Sequence, residues 1–312
     1  MVDGSDDFYM MINPYFPTRE MLEKISANLL HLIRYYPSDQ QTIARKVQAL
    51  EGVSRPLLVA NGSCEAISIF LQRHISKALV TVPNFNEWEA CEHVPISYDA
   101  STAEFIEAID KEKVDAVCIC NPNNPTGYYR EDIEEIARHF PEIRFAIDVS
   151  FHAFVGEEIP RLPEGRNIVL IKSLGKDYGL CGVRLGYLAT VDADLLAAIR
   201  PQIPIWNVNS IAEYLVDLCI EHRADYEESR KRTIRGTKEM AELLATFDFL
   251  EVFPTRANFV LVRSQKPLRF KVKCCDNKTT LDASYYRVAY NTDLALLSRL
   301  MNDSQGGDTA RC

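Results

Sequence analysis

Two cations in one glycine-punctuated loop offer the clearest chemistry in this chain. Lys176 and Arg184 lie within Ser173-Leu-Gly-Lys-Asp-Tyr-Gly-Leu-Cys-Gly-Val-Arg-Leu-Gly186, directly after the apolar run Ile168-Val-Leu-Ile171. That pattern predicts a buried strand ending in a loop whose backbone can approach a bound group. A lysine among glycine and apolar neighbours loses hydration, which favours its neutral amine and makes it a nucleophile towards an aldehyde. Arg184 supplies a planar fork of donors suited to phosphate. An imine-forming lysine beside a phosphate-binding arginine points to pyridoxal 5′-phosphate (PLP). Alone, Lys176 would read as a solvated loop lysine; its company changes that.

The other needs of such a cofactor also find candidates. A helix opening at Gly62-Ser63-Cys64 would present backbone N–H groups to the phosphate, with Ser173 adding a hydroxyl. The pyridine nitrogen needs a buried carboxylate to stay protonated, and Asp148 closes the strand-like Arg144-Phe-Ala-Ile147. Asn124, in Asn121-Pro-Asn-Asn-Pro-Thr-Gly127, can donate to the phenolic oxygen. Trp88 can lie on the face of the ring. Taken singly, Asp148 is a turn or cap residue and Trp88 a core aromatic. Together they follow successive strands, where ligands of parallel sheets gather.

The run Ser-x-x-Lys-x-x-Gly-Leu-x-Gly-x-Arg-x-Gly-Tyr, here Ser173 to Tyr187, resembles the signature of fold-type I, class I/II PLP-dependent aminotransferases. From Asp7 to about Leu300 the chain is most similar to the branch of histidinol-phosphate aminotransferase and L-threonine-phosphate decarboxylase. The resemblance rests on Asp7-Phe-Tyr-Met-Met-Ile-Asn-Pro14, Tyr36-Pro37, Phe253-Pro-Thr-Arg-Ala-Asn-Phe259 and Leu281-Asp-Ala-Ser-Tyr-Tyr-Arg-Val-Ala289. It implies a Schiff base on Lys176 and substrate contacts from Asn13, Asn124 and Arg287. It also implies a homodimer in which Tyr36 reaches the neighbouring subunit's cofactor. Four departures stand out. Phe151 sits at the cofactor where a tyrosine is usual, and Gly175 replaces a hydroxyl residue. Lys273 replaces an arginine that grips substrate phosphate. Only ten positions separate Arg263 from Lys273, where relatives insert a helix.

Strand and helix patterns alternate from Leu57, which predicts an α/β fold with a mainly parallel sheet. The expected division is an arm and first helix over 1–36 that joins a small domain, a large PLP-binding domain over 37–224, a small α+β domain over 225–303 and a disordered tail over 304–312. Thr18 should cap the first helix, and Ser38-Asp-Gln-Gln41 should open the second. The chain has 312 residues, 47% of them hydrophobic and 25% charged. Its net charge of −9 argues against a nucleic-acid partner. No apolar run suits a membrane span, so a cytoplasmic location is expected. Nine cysteines without C-x-x-C spacing read as reduced, small hydrophobes, and no metal site is expected. Of six histidines, only His152 is expected near the site. The favoured activity is transfer of an amino group between an amino acid and a 2-oxo acid. Decarboxylation of a phosphorylated amino acid is the alternative, and a non-catalytic binding module a third reading.

Overall fold

The computed structural model describes residues 7–306, and the end of the expected disordered tail lies outside them. Ser304 to Gly306 are still helical, as the last turn of α9 (Leu294–Gly306). Seven strands form the first sheet: β1 (Leu57–Ala60), β2 (Lys77–Val82), β3 (Glu92–Ser97), β4 (Ala116–Cys120), β5 (Arg144–Asp148), β6 (Ile168–Ser173) and β7 (Gly186–Ala189). Their order is β1-β7-β6-β5-β4-β2-β3. Strands β2 to β6 pair in parallel, whereas β7 runs antiparallel to β6 and to β1. Strand β4 is wholly buried, as a central strand covered on both faces must be, and it reads as an unbroken apolar run. Strand β3 is half-exposed on an edge and carries Pro95, so its sequence shows no comparable run.

Helices cover both faces of this sheet. Helix α1 (Arg19–Arg34) starts at Thr18, whose side chain accepts from Met21 N–H. Helix α2 (Gln40–Glu51) starts at Asp39 rather than at Ser38. The reason is that Ser38 N–H is engaged by Glu213 at 2.7 Å, leaving the carboxylate of Asp39 to accept from Thr42. Helix α1 packs against α7 (Ser210–Glu221), and Met21 joins the core built from Val47, Leu170 and Leu215. It therefore belongs to the large sheet's core and not to the small unit. The remaining helices are α3 (Ser63–His74), α4 (Thr102–Glu112), α5 (Ile133–His139), α6 (Ala193–Ile199) and α8 (Arg223–Leu244).

A second, antiparallel sheet has the order β10-β11-β9-β8, made of β8 (Leu250–Val252), β9 (Phe259–Ser264), β10 (Lys273–Cys274) and β11 (Tyr285–Ala289). Its core, including Met240, Val260, Val288 and Leu297, lies against α8 and α9. The entry arm is laced onto this sheet. Phe8 N–H donates to Lys271 at 2.9 Å, and Phe8 accepts from Ala289 N–H at 2.8 Å. A small apolar cluster, Met11, Phe151, Phe154, Ala257, Phe259 and Ala289, joins the two sheets.

The loop after β6 is fixed from behind by a buried ionic group. Lys172 Nζ lies 2.7 Å from Glu51 and 2.8 Å from Asp177, all three nearly inaccessible. Tyr178 and Tyr187 donate to Glu51, and Tyr226 donates to Asp177. Desolvation acts to lower the pKa of Lys172, but the two carboxylates outweigh it and hold the group protonated. Removing one partner of such a group strands the remaining charges in a low dielectric. Lys172→Met is expected to reduce the unfolding free energy by about 3–5 kcal/mol, read as a lowered urea midpoint. An unchanged midpoint would show that this cluster does not hold the loop.

Candidate active site

Asp148 is a buried carboxyl group with opposing influences on its charge. It ends β5, in register with Cys120 of β4 and Ile171 of β6, so its side chain emerges at the carboxyl edge of the parallel strands. Desolvation raises its pKa, while Ser150 and Trp88 donate hydrogen bonds that favour the carboxylate. Ser150 N–H lies 2.9 Å from Oδ1 and Trp88 Nε1 3.4 Å from Oδ2. The positive charge of Lys176 also favours the ionised form. Ser150 further accepts from Ser173 N–H through its hydroxyl at 2.9 Å, which ties the end of β6 to the turn after β5.

An anion cradle forms where β1 meets α3. Gly62 takes a left-handed φ of 81°, and no side chain caps the helix behind it, so the first-turn N–H groups of α3 remain for a ligand. A Cβ on Gly62 would come within 2.5 Å of the Arg184 guanidinium, so the arginine lies directly against this turn. Gly186 is equally confined, because a Cβ there would meet Ser63 N at 2.7 Å. Cys64 responds to the charges of Arg184, Asp148 and Lys176, and burial raises its thiol pKa. The departure at Gly175 has a steric cause. A side chain there would strike Cys181 Cα at 2.9 Å, and Cys181 Sγ donates to Gly175 O at 3.1 Å.

Beside the cradle opens a cavity of about 370 Å³, lined among others by Tyr9, Asn124, Lys176, Lys273, Lys278 and Arg287. Arg287 is buried; it donates to Asn124 Oδ1 at 2.8 Å and to Tyr9 O at 3.2 Å, while its Nε finds no partner. Desolvation brings its pKa down to about 10, so it stays cationic at neutral pH. Lys273 and Arg287 are direct cross-strand neighbours on β10 and β11. The lining contains four cationic side chains and no carboxylate. Lys278 has no counterpart in the sequence reading; it sits in the turn between β10 and β11, where no motif marks it.

Four expected positions are absent from this lining. Asn13 is buried with its side chain fully engaged, donating to Asp177 O at 2.9 Å and Ser229 at 2.8 Å while accepting from Tyr15 and Thr233. It fastens the arm to the Lys176 loop and α8, and Tyr9, Met10 and Met11 line the cavity in its place. His152 faces the Lys172 cluster on the other side, its Nε2 lying 2.8 Å from Pro160 O. Phe151 packs edge-on against Phe259 at 5.0 Å, within the apolar cluster that joins the two sheets. Tyr36 is 74% exposed and stacks on Trp206 at 4.1 Å, away from its own chain's cavity.

The model of the family "Aminotransferase class I and II" matches residues 32–302. The chain belongs to that family. It is 32% identical over 277 residues to the CMP-5′-(3-aminopropyl)phosphonate synthase of Streptomyces rubellomurinus, covering 83% of this chain and 44% of that protein. It therefore spans less than half the length of that relative. It is 29% identical to the L-serine phosphate decarboxylase of Sulfurospirillum multivorans, over 82% of this chain and 73% of the other. The histidinol-phosphate aminotransferase of Clostridium acetobutylicum shares the fold, with a TM-score of 0.84, 24% identity and coverage of 96% and 99% of the two chains. Class I and II enzymes depend on PLP, and the residues here suit it: an uncapped helix start with an arginine against it, a buried carboxylate and a cavity lysine. Gly62→Ala is expected to displace Arg184 and to weaken PLP binding at least tenfold, measured by fluorescence titration of the apoprotein. Undiminished affinity would remove Arg184 and the Gly62 turn from the phosphate site.

Proposed function

We propose that the chain removes the α-carboxylate of a small amino acid as CO2, with PLP as its cofactor. The observation that carries this reading is the acid-free wall of cations around Lys176, which suits a substrate with more than one anionic group. The similarity to L-serine phosphate decarboxylase supports it. Bound PLP supplies an electron sink for the pair left behind when a bond at Cα breaks. Ser173, Arg184 and the start of α3 would hold its phosphate, Asp148 its ring nitrogen and Asn124 its phenolic oxygen. Trp88 covers the ring, and Phe151 backs the site without a hydrogen bond. Lys176 holds the aldehyde carbon. The Lys176 side chain, when protonated, would be a proton donor towards the substrate's Cα. Arg287, steadied by Asn124, takes a substrate anion through its fork, and Lys273 adds a point charge.

Amino-group transfer is the second reading, favoured by the match to an aminotransferase model over most of the chain. In that case Lys176 would take the Cα proton and return it, and a 2-oxo acid would accept the amino group. Purified holoenzyme given O-phosphoserine separates the two, because only decarboxylation releases CO2 and only transfer leaves a 2-oxo acid. Borohydride reduction should attach the cofactor to the peptide containing Lys176; attachment to another peptide would overturn its role. Arg287→Ala is expected to lower kcat/KM for every substrate by roughly ten- to a hundredfold, the loss of one charge-assisted contact. Full turnover by that variant would remove the arginine from the substrate site.

The working unit in this reading is a homodimer, with Tyr36 and the flanking Tyr35 and Ile33 exposed for the partner copy. Mixing Tyr36→Phe with Lys176→Ala should restore part of the activity, because mixed dimers contain one site with neither defect. A fully active monomer would contradict a shared site.

A further inference from the structure

Lys278 is a buried ammonium whose own hydrogen-bond acceptors in the protein are both neutral. It lies in the turn between β10 and β11 and is 7% exposed. Its Nζ donates to Asn84 O at 2.6 Å and to Asn86 Oδ1, both neutral acceptors. Around it the turn is docked by other bonds, from Asn86 to Asn277 O at 3.3 Å and from Thr279 to Glu89 at 2.6 Å. The turn therefore keeps other fastenings when Lys278 is replaced, and a glutamine amide still offers neutral N–H donors there. Burial and the positive charge of Arg287, with a smaller push from Lys273, outweigh the opposing charges of Cys275 and Glu89 and bring the Lys278 pKa down to about 8. Three cations thus share one wall of a cavity whose lining holds no carboxylate. Such an arrangement opposes itself electrostatically unless an anion enters. An ammonium has three protons, and two are spent on Asn84 and Asn86, leaving one for a ligand.

Charge balance narrows the ligand. A plain amino acid brings one negative charge in its carboxylate. A phosphate monoester adds about −1.5 to −2 at neutral pH, so a substrate with both groups approaches the combined charge of Lys273, Lys278 and Arg287. We propose that Lys278 is a specificity-determining residue which, with Lys273 and Arg287, forms the subsite for a tetrahedral dianion at the end of the substrate remote from the reacting carbon. The dianion is a phosphate ester or a phosphonate, which offer the same three oxygens. This inference rests on the proposed amino-acid chemistry for the identity of the substrate, but not for the existence of the subsite.

The test uses PLP-loaded enzyme, so that the cofactor's own phosphate site is filled. Wild type, Lys278→Met, Lys278→Gln and Lys278→Arg are compared by calorimetric binding and by KM. The ligands are O-phospho-L-serine, 2-amino-4-phosphonobutyrate, L-serine and inorganic phosphate. Met and Gln are expected to weaken the two dianionic amino acids about ten- to a hundredfold more than L-serine, and Arg to recover most of the loss. A difference between the first two ligands identifies ester or phosphonate as the preferred source. Equal losses across all ligands, or full recovery by Gln, would reduce Lys278 to a fastening of the turn and overturn the proposal. Inorganic phosphate separates this outcome from failure of the reaction. If wild type converts no amino acid yet binds phosphate in a Lys278-dependent way, the reaction is wrong and the subsite stands. Phosphate binding indifferent to Lys278 overturns the subsite itself.

Discussion

A single buried ammonium, Lys172, holds the back of the site together. It separates Glu51 at the end of α2 from Asp177 in the loop after β6, and both carboxylates lie out of reach of water. Asp177 is the chain neighbour of Lys176, so the position of the candidate nucleophile is inherited from this ion cluster. The three tyrosines around it donate to the carboxylates and thereby reduce the desolvation cost. Asn13 then closes the loop from the front by accepting into its own hydrogen-bond network the backbone on either side: Asn13 N–H donates to Lys176 O at 2.8 Å and its amide to Asp177 O. The arrangement leaves the loop few alternatives.

Two kinds of electrostatic environment meet in front of that loop. Asp148 is a buried acid whose ionised form is sustained by donors from Ser150 and Trp88, and a protonated ring nitrogen would complete the pairing. The opposite wall is cationic and unbalanced. Arg287 spends its fork on an asparagine and a backbone carbonyl, neither of which carries charge. Such a wall costs stability in the empty protein and repays it only in the presence of an anion, a trade common at functional sites.

Much of this was legible in the sequence, for physical reasons that differ by element. Central strands such as β4 and β6 are buried on both faces, so they read as short apolar runs, and the residues that follow them fall at the ligand-binding edge. Lys176, Asp148, Asn124 and Arg184 were offered as candidates on that ground. Edge strand β3 escaped because half of it faces solvent. Lys278 escaped because its contacts lie about 190 residues away, at Asn84 and Asn86, and arise only when the second sheet docks. Asn13 was misplaced for the same reason: its partners Asp177, Ser229 and Thr233 are brought to it by tertiary packing alone. The steric role of Cys181 against Gly175 has no signature in residue type.

The antiparallel pairing of β6 with β7 sets what can move relative to what. Lys176 and Arg184 belong to one hairpin connection, pinned at its base where Ser173 faces Gly186. Arg287 and Lys273 ride on the other sheet, one across from the other. A shift of the small sheet against the large one would change the gap between Arg287 and Lys176 while leaving Lys176 and Arg184 in fixed relation. In the proposed reading the residues for the cofactor and the cations for the substrate thus sit on separate sheets, and the Arg287–Asn124 bond and the Phe151–Phe259 contact set the distance between them.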